Sequence, residues 1–174
     1  MNYLNKQFEV VPLREGALKG ASPEAVATFW RQYEDAEHRA SKLNTSLGNA
    51  LKKAHAMGKA LGHSTAPTGE LDQQLYDLKM NLMKLDASVF GNRSKQEPGQ
   101  MDTPTIGDRL FAIFRGVNNS TYGPTETAKR GMELVESHLD KNEKQLSNYL
   151  TQMDSLLKEM VKSGAPWVEG EMGY

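Results

Sequence analysis

Apolar and small residues recur at helical spacing along most of this chain, and the recurrence breaks three times. One register carries Val26, Tyr33, Ala40, Leu47, Ala54 and Leu61, and an interleaved one carries Phe29, Ala36, Leu43, Ala50 and Met57. That is an unbroken a/d pattern over about five heptads, the mark of a long helix with one packing seam. Ser22 is placed to cap it, Pro23 suits the first helical position, and Glu24 suits the positive helix end. The pattern predicts a helix over 23–61, roughly 58 Å long at 1.5 Å per residue. Alanines alternate with larger residues in both registers, which lets a neighbouring helix approach closely. Gly48 and Gly58 weaken the helix by about 1 kcal/mol each relative to Ala.

"GHSTAPTG" is the first break. Leu71, Leu75, Leu78, Leu82, Leu85 and Val89 then predict a second helix over 69–90, stopped by Gly91. The polar stretch "NRSKQEPGQMDTP" separates it from a third, shorter helix starting near Pro104, with Thr103 as its cap. Ile106, Leu110, Ile113 and Val117 share one face of that helix, with Phe111 and Phe114 adjoining. After "NNSTYGPT", a fourth helix is predicted over 124–163. Met132, Leu139, Leu146, Met153 and Met160 form one of its registers. Val135, Tyr149 and Leu156 form the other, with Asn142 at the position between them. The second and third helices, about 33 and 20 Å long, together approach the length of the first or the fourth. The predicted fold is therefore all-α: an elongated antiparallel bundle of two long and two shorter helices. A three-column arrangement, with its middle column broken at 91–103, is preferred to an up-down-up-down four-helix bundle.

The start of the chain reads differently. "QFEVVPL" alternates Phe8 and Val10 around Glu9 and stops at Pro12, a strand pattern of about five residues. No second strand pattern appears later in the chain, and a lone strand cannot satisfy its own backbone. Residues 1–21 are thus expected to be a strand-like leader left from an upstream β-domain, and 22–174 the helical domain with an extended C-terminal tail. The first residues lack a basic and an apolar segment of the signal-peptide kind, so any export signal is expected further upstream.

Composition narrows the possible partners. The 174 residues include 21 Lys+Arg and 22 Asp+Glu, a net charge of −1, so long-range attraction to nucleic acid or an anionic membrane is not expected. There is no Cys, which excludes disulfides and thiolate metal sites. No apolar run approaches the ~20 residues of a membrane span.

Candidate chemistry is sparse. Asp35 and His38 have the i, i+3 carboxylate–histidine spacing of di-iron bundles, but His138 has its nearest acids, Glu133 and Glu136, at the wrong spacing. His55 and His63 suit the negative end of the first helix. Ser155 and Lys158 match the Ser-x-x-Lys of some acyl enzymes, yet Leu156 and Leu157 between them make an ordinary amphipathic turn. Asn44, Asn92, Asn118 and Asn119 begin Asn-x-Ser/Thr sequons. The methionines of the fourth helix read as adaptable core, and Asn142 as a polar residue that sets register. No cofactor and no catalytic metal are expected.

Four segments carry a resemblance. They are "FEVVPL" followed by "FWRQYEDAEHRASKLNTSLGNALKKA", then "LDQQLYDLKMNLMKL", then "TPTIGDRLFAIFRGVNNSTYGPTETAKRGMEL", and the terminal "GAPWVEG". Together they resemble the C-terminal helical region of large bacterial exported proteins built on a BNR-repeat, sortilin-like β-propeller, often labelled glycosyl hydrolase-like. Pro104, Ile106, Asp108 and Arg109 match a recurring "PxIxDR"-like element. Pro124 and Thr125 match the entry to the last helix, and Ala165, Pro166 and Trp167 a terminal "APW". The chain departs from the family at "PLREG", where an Asp-Pro-Arg-like turn is usual.

The resemblance implies a non-catalytic accessory domain of an exported protein, acting in inter-domain packing or protein interaction. Any hydrolase activity would lie in the propeller. The alternative is a free-standing helical interaction or oligomerisation module. The expected partner is the upstream propeller or β-domain of the same polypeptide, with no nucleic acid and no membrane insertion. Asp108 and Arg109 are expected to be structural. Asp108 suits the start of the third helix, and Arg109 is placed to pin the 91–103 loop or a facing carboxylate. Pro166 cannot continue the last helix, so Trp167 is expected to fold back over the bundle end.

Overall fold

The computed structural model describes residues 9, 11, 19–64, 68–91 and 103–165. Four helices account for most of them: α1 (Pro23–Gly62), α2 (Glu70–Phe90), α3 (Ile106–Asn118) and α4 (Glu126–Lys162). Among the described residues there is no strand. No helix among them is long and apolar enough to cross a membrane. The strand pattern at Phe8 and Val10 lies outside the described residues, as does Trp167.

The caps explain where the helices begin. Ser22 Oγ accepts from the Ala25 N–H at 3.2 Å, with Pro23 at the first helical position. Thr125 Oγ1 accepts from the Ala128 N–H at 3.1 Å, so α4 starts two residues later than its sequence pattern suggested. The cap of α3 is Thr105 rather than Thr103. Thr105-Ile-Gly-Asp108 forms a capping box, in which Thr105 Oγ1 accepts from the Asp108 N–H and Asp108 accepts from the Thr105 N–H. Two end groups satisfied reciprocally outweigh the single bond Thr103 could offer, and Pro104 is left ahead of the helix.

At the far end of α4, the Gly164 N–H donates to Val161 O and the Ala165 N–H to Met160 O, both at 3.1 Å. This is a Schellman closure, which turns the chain sharply and buries Ala165 against the bundle. The turn arises at Gly164, as the sequence suggested.

Cross-helix contacts fix the directions. Ala21 N donates to Tyr122 O, Arg39 pairs with Asp140, and Lys53 pairs with Asp154; each pair is separated by the same 101 positions. A constant offset over more than thirty residues means that α1 and α4 run parallel and in step. The middle column runs the other way. The start of α2 lies beside the last turns of α1, where Leu75 and Tyr76 meet Ala54 and Gly58. Lower down, Phe114 of α3 packs on Trp30 and Tyr33 of α1, and Ile113 packs against Gly131 of α4. The architecture is thus three columns, up-down-up, with α2 and α3 sharing the middle one. Both long helices are antiparallel to that column and parallel to each other.

The core follows the predicted registers, with Val26, Ala40, Leu71 and Tyr149 only half-buried at its edges. Leu47, Met57 and Leu61 of α1, Leu82 and Val89 of α2, and Val135, Leu139, Met153 and Met160 of α4 are fully buried. Ile106, Leu110, Ile113 and Val117 of α3 close its lower end. Ala36, Ala50 and Ala54 are buried between them and keep the axes close. At Gly131 an added Cβ would lie 3.2 Å from the Ile113 side chain, so α3 and α4 also approach tightly. Truncating a fully buried leucine such as Leu82 or Leu139 to Ala should cost about 2–5 kcal/mol.

Candidate functional site

The lower end of the bundle, where the chain enters α1, carries a cluster of rings that the core does not absorb. Phe29 and Tyr33 are buried on the α1 seam, and Trp30 stands beside them, half-buried on the edge toward α3. Its indole makes edge-on contacts to Tyr33 at 5.4 Å and Phe114 at 5.9 Å between centroids. Such pairs add about 0.5–1.5 kcal/mol beyond burial. Phe114 nevertheless remains 40% exposed and Phe111, one turn back on α3, 60% exposed. The Arg115 guanidinium lies 5.7 Å from the Phe111 ring centre, a cation–π contact on the open face. Burial, and then the nearby Glu37 carboxylate, push the Tyr33 phenol above its ordinary range and keep it neutral.

The turn beside this cluster is tightly built. Gly123 has φ +84, and a Cβ there would fall 2.9 Å from both Ala21 Cβ and Val26 Cγ2. Only glycine permits both that conformation and the close passage of the entering chain. Tyr122, its neighbour, is exposed next to Ala21. Trp30, Phe111, Phe114 and Tyr122 therefore sit at the end of the bundle where residues 19–21 arrive.

Asp108 and Arg109 lie at the other end of α3. Hydrogen bonds from the Thr105 hydroxyl and backbone hold the Asp108 carboxyl below its ordinary value of 3.8. Arg109 is half-buried, and its Nε is buried without a hydrogen-bond partner. Among the described residues it grips no carboxylate; most of the 91–103 loop lies outside them.

The other sequence candidates do not converge. Among the described residues no three His, Asp or Glu side chains gather around a common point. Asp35 and His38 are exposed on α1, whereas His138 is half-buried between α2 and α4. Ser155 donates its hydroxyl to Thr151 O at 3.1 Å and faces solvent. Asn142 is buried, at 8% exposure, in the position the heptads assign it.

Sequence reasoning missed Trp30 and Arg39. Trp30 falls just outside the a/d registers, and its signal was an aromatic triplet, Phe29, Trp30 and Tyr33, on adjoining helical positions. Arg39 bridges Asp140 and Glu143 across α1 and α4, at 2.6 and 2.7 Å. Comparison of the chain with known protein families, with curated proteins and with solved structures finds no match in any of the three.

Proposed function

We propose that this bundle is a non-catalytic accessory domain that packs, through its ring-bearing lower end, against an upstream β-domain of the same polypeptide. The resemblance to the helical region of exported propeller proteins suggests the parent: an exported protein in which any hydrolase activity would lie in the propeller. The observation that carries the reading is the position of the exposed rings. Phe111, Phe114 and Tyr122 are open on the same end that receives residues 19–21. A domain joined through that leader would be delivered to this surface at high effective concentration, so even a modest aromatic contact would hold it.

The test uses the longer polypeptide that carries both domains. Phe111→Ser should leave the melting of the bundle nearly unchanged, because the Phe111 ring is 60% exposed. It should also loosen the junction, seen as faster proteolysis near residue 18 and a larger radius of gyration in solution scattering. An unchanged junction would defeat the proposal. A reading frame that begins at Met1 would favour a free-standing interaction module instead.

A further inference from the structure

We infer that the groove between α2 and α4 is a binding site for a small organic oxyanion, a carboxylate- or phosphate/sulfate-bearing molecule of up to about monosaccharide size. Two polar stripes face each other there. Asn81, Lys84 and Ser88 on α2 and His138, Lys141 and Gln145 on α4 each keep the same i, i+3, i+7 spacing, and all six line one groove of about 320 Å³. That volume is at the lower end of small-ligand sites.

The groove is one-sided in charge. Both helices contribute a lysine, Lys84 and Lys141, and no Asp or Glu lines it. The acids of mid-α4 are engaged elsewhere: Asp140 and Glu143 both accept from Arg39 on the α1 side. The ammonium groups of the groove therefore have no carboxylate along its walls. Two lysines lining one groove without an acid offer an anion there two charge-assisted donors.

The floor carries the second observation. Asn142 lines the groove at 8% exposure. Among the described residues no hydrogen bond engages its side-chain amide, although Ser88, at the rim, already donates to Leu85 O at 2.8 Å. A nearly buried amide facing a polar cleft is expected to find a partner there. Asn142 and Gln145 supply both donors and acceptors, which suits a ligand with hydroxyls beside its anionic group. The groove lies in the middle of the bundle, well above the ring cluster, and the inference does not depend on the docking proposal.

Titration calorimetry and amide NMR shifts with four probes would test it: glucuronate, glucose 6-phosphate, inorganic sulfate and glucose. Glucuronate or glucose 6-phosphate should bind at up to ~10 mM, the range where a millimolar Kd is measurable, and perturb residues 81–88 and 138–145. Whichever of the two binds more tightly identifies the anionic group, and inorganic sulfate binding alone would mean an adventitious ion only and defeat the inference. Lys84→Gln with Lys141→Gln should weaken binding about tenfold or more, with circular dichroism unchanged because both side chains are exposed. Asn142→Leu should also weaken binding while leaving the fold intact. Equal binding of glucose, retention of affinity in the double lysine variant, or no shift with any probe would overturn it.

Discussion

Arg39 holds Glu143 through two bonds, Nε to Oε1 at 3.1 Å and Nη2 to Oε2 at 2.7 Å, and so ties the middle of α1 to the middle of α4. Asp140 takes a third bond from the same guanidinium. Hydrogen bonds first to Glu143 and then to Asp140 raise the pKa of Arg39 further above its ordinary value, so it remains charged at every working pH. The Arg39 side chain is 27% exposed, but Glu143 and Asp140 are 38% and 72% exposed, so water screens both pairs. Arg39→Met should therefore cost about 1 kcal/mol in urea unfolding. A double-mutant cycle with Glu143→Gln should return a coupling near 1 kcal/mol that shrinks at high salt.

Asp108 makes the stability of α3 depend on pH. Its folded carboxyl titrates below 3.8, its ordinary value, chiefly because the Thr105 hydroxyl and N–H donate to it. A depressed carboxyl contributes stability that is full above the unfolded pKa and is lost as pH falls through the folded one. Asp108→Ala should thus cost roughly 0.5–1 kcal/mol at pH 7, the usual worth of a capping interaction. The gap to the native protein should close progressively as pH falls below about 4. Urea midpoints measured at pH 7 and pH 3 would check both.

Gly123→Ala should destabilise more than its size suggests. The added methyl meets Ala21 and Val26 at 2.9 Å in a left-handed conformation. The conformational part alone is worth about 1–2 kcal/mol, and the clash adds to it. Thermal melts should show the loss, whereas Gly48→Ala, with open space around it, should raise stability by up to about 1 kcal/mol.

Asn142→Leu should leave stability unchanged or increase it. The position is a core site flanked by Leu139 and Leu146, and an apolar side chain there removes an amide that no described neighbour bonds. A loss above about 1 kcal/mol on chemical unfolding would instead mean that the amide anchors the helix register.

Much of the bundle could be read from periodicity, because a seam residue on a helix has few ways to avoid the core. Ile106, Leu110, Ile113 and Val117 are all buried as their spacing requires. Asn142 is also where the heptads put it. The parallel course of α1 and α4 was less direct, since it depends on α2 and α3 sharing one column, a matter of lengths rather than of any residue. Thr103 does not cap α3, because the Thr105–Asp108 box satisfies two end groups reciprocally. Trp30 was missed because a two-register template has no place for a ring on the seam's shoulder. The anion groove shows as two stripes only once α2 and α4 are known to face each other there.

The equal offset along α1 and α4 has a mechanical meaning. The chain enters at Ala21 beside Tyr122, and at the opposite end Ser64 reaches Ser163 as α4 finishes. The points of entry at Ala21 and exit at Ala165 are therefore separated by the length of the longest helix, about 60 Å for its 40 residues. Three packed columns resist bending far better than a single helix. The bundle is thus built as a strut, its two long columns joined by the buried seam and tied at two further heights by Arg39–Glu143 and Lys53–Asp154.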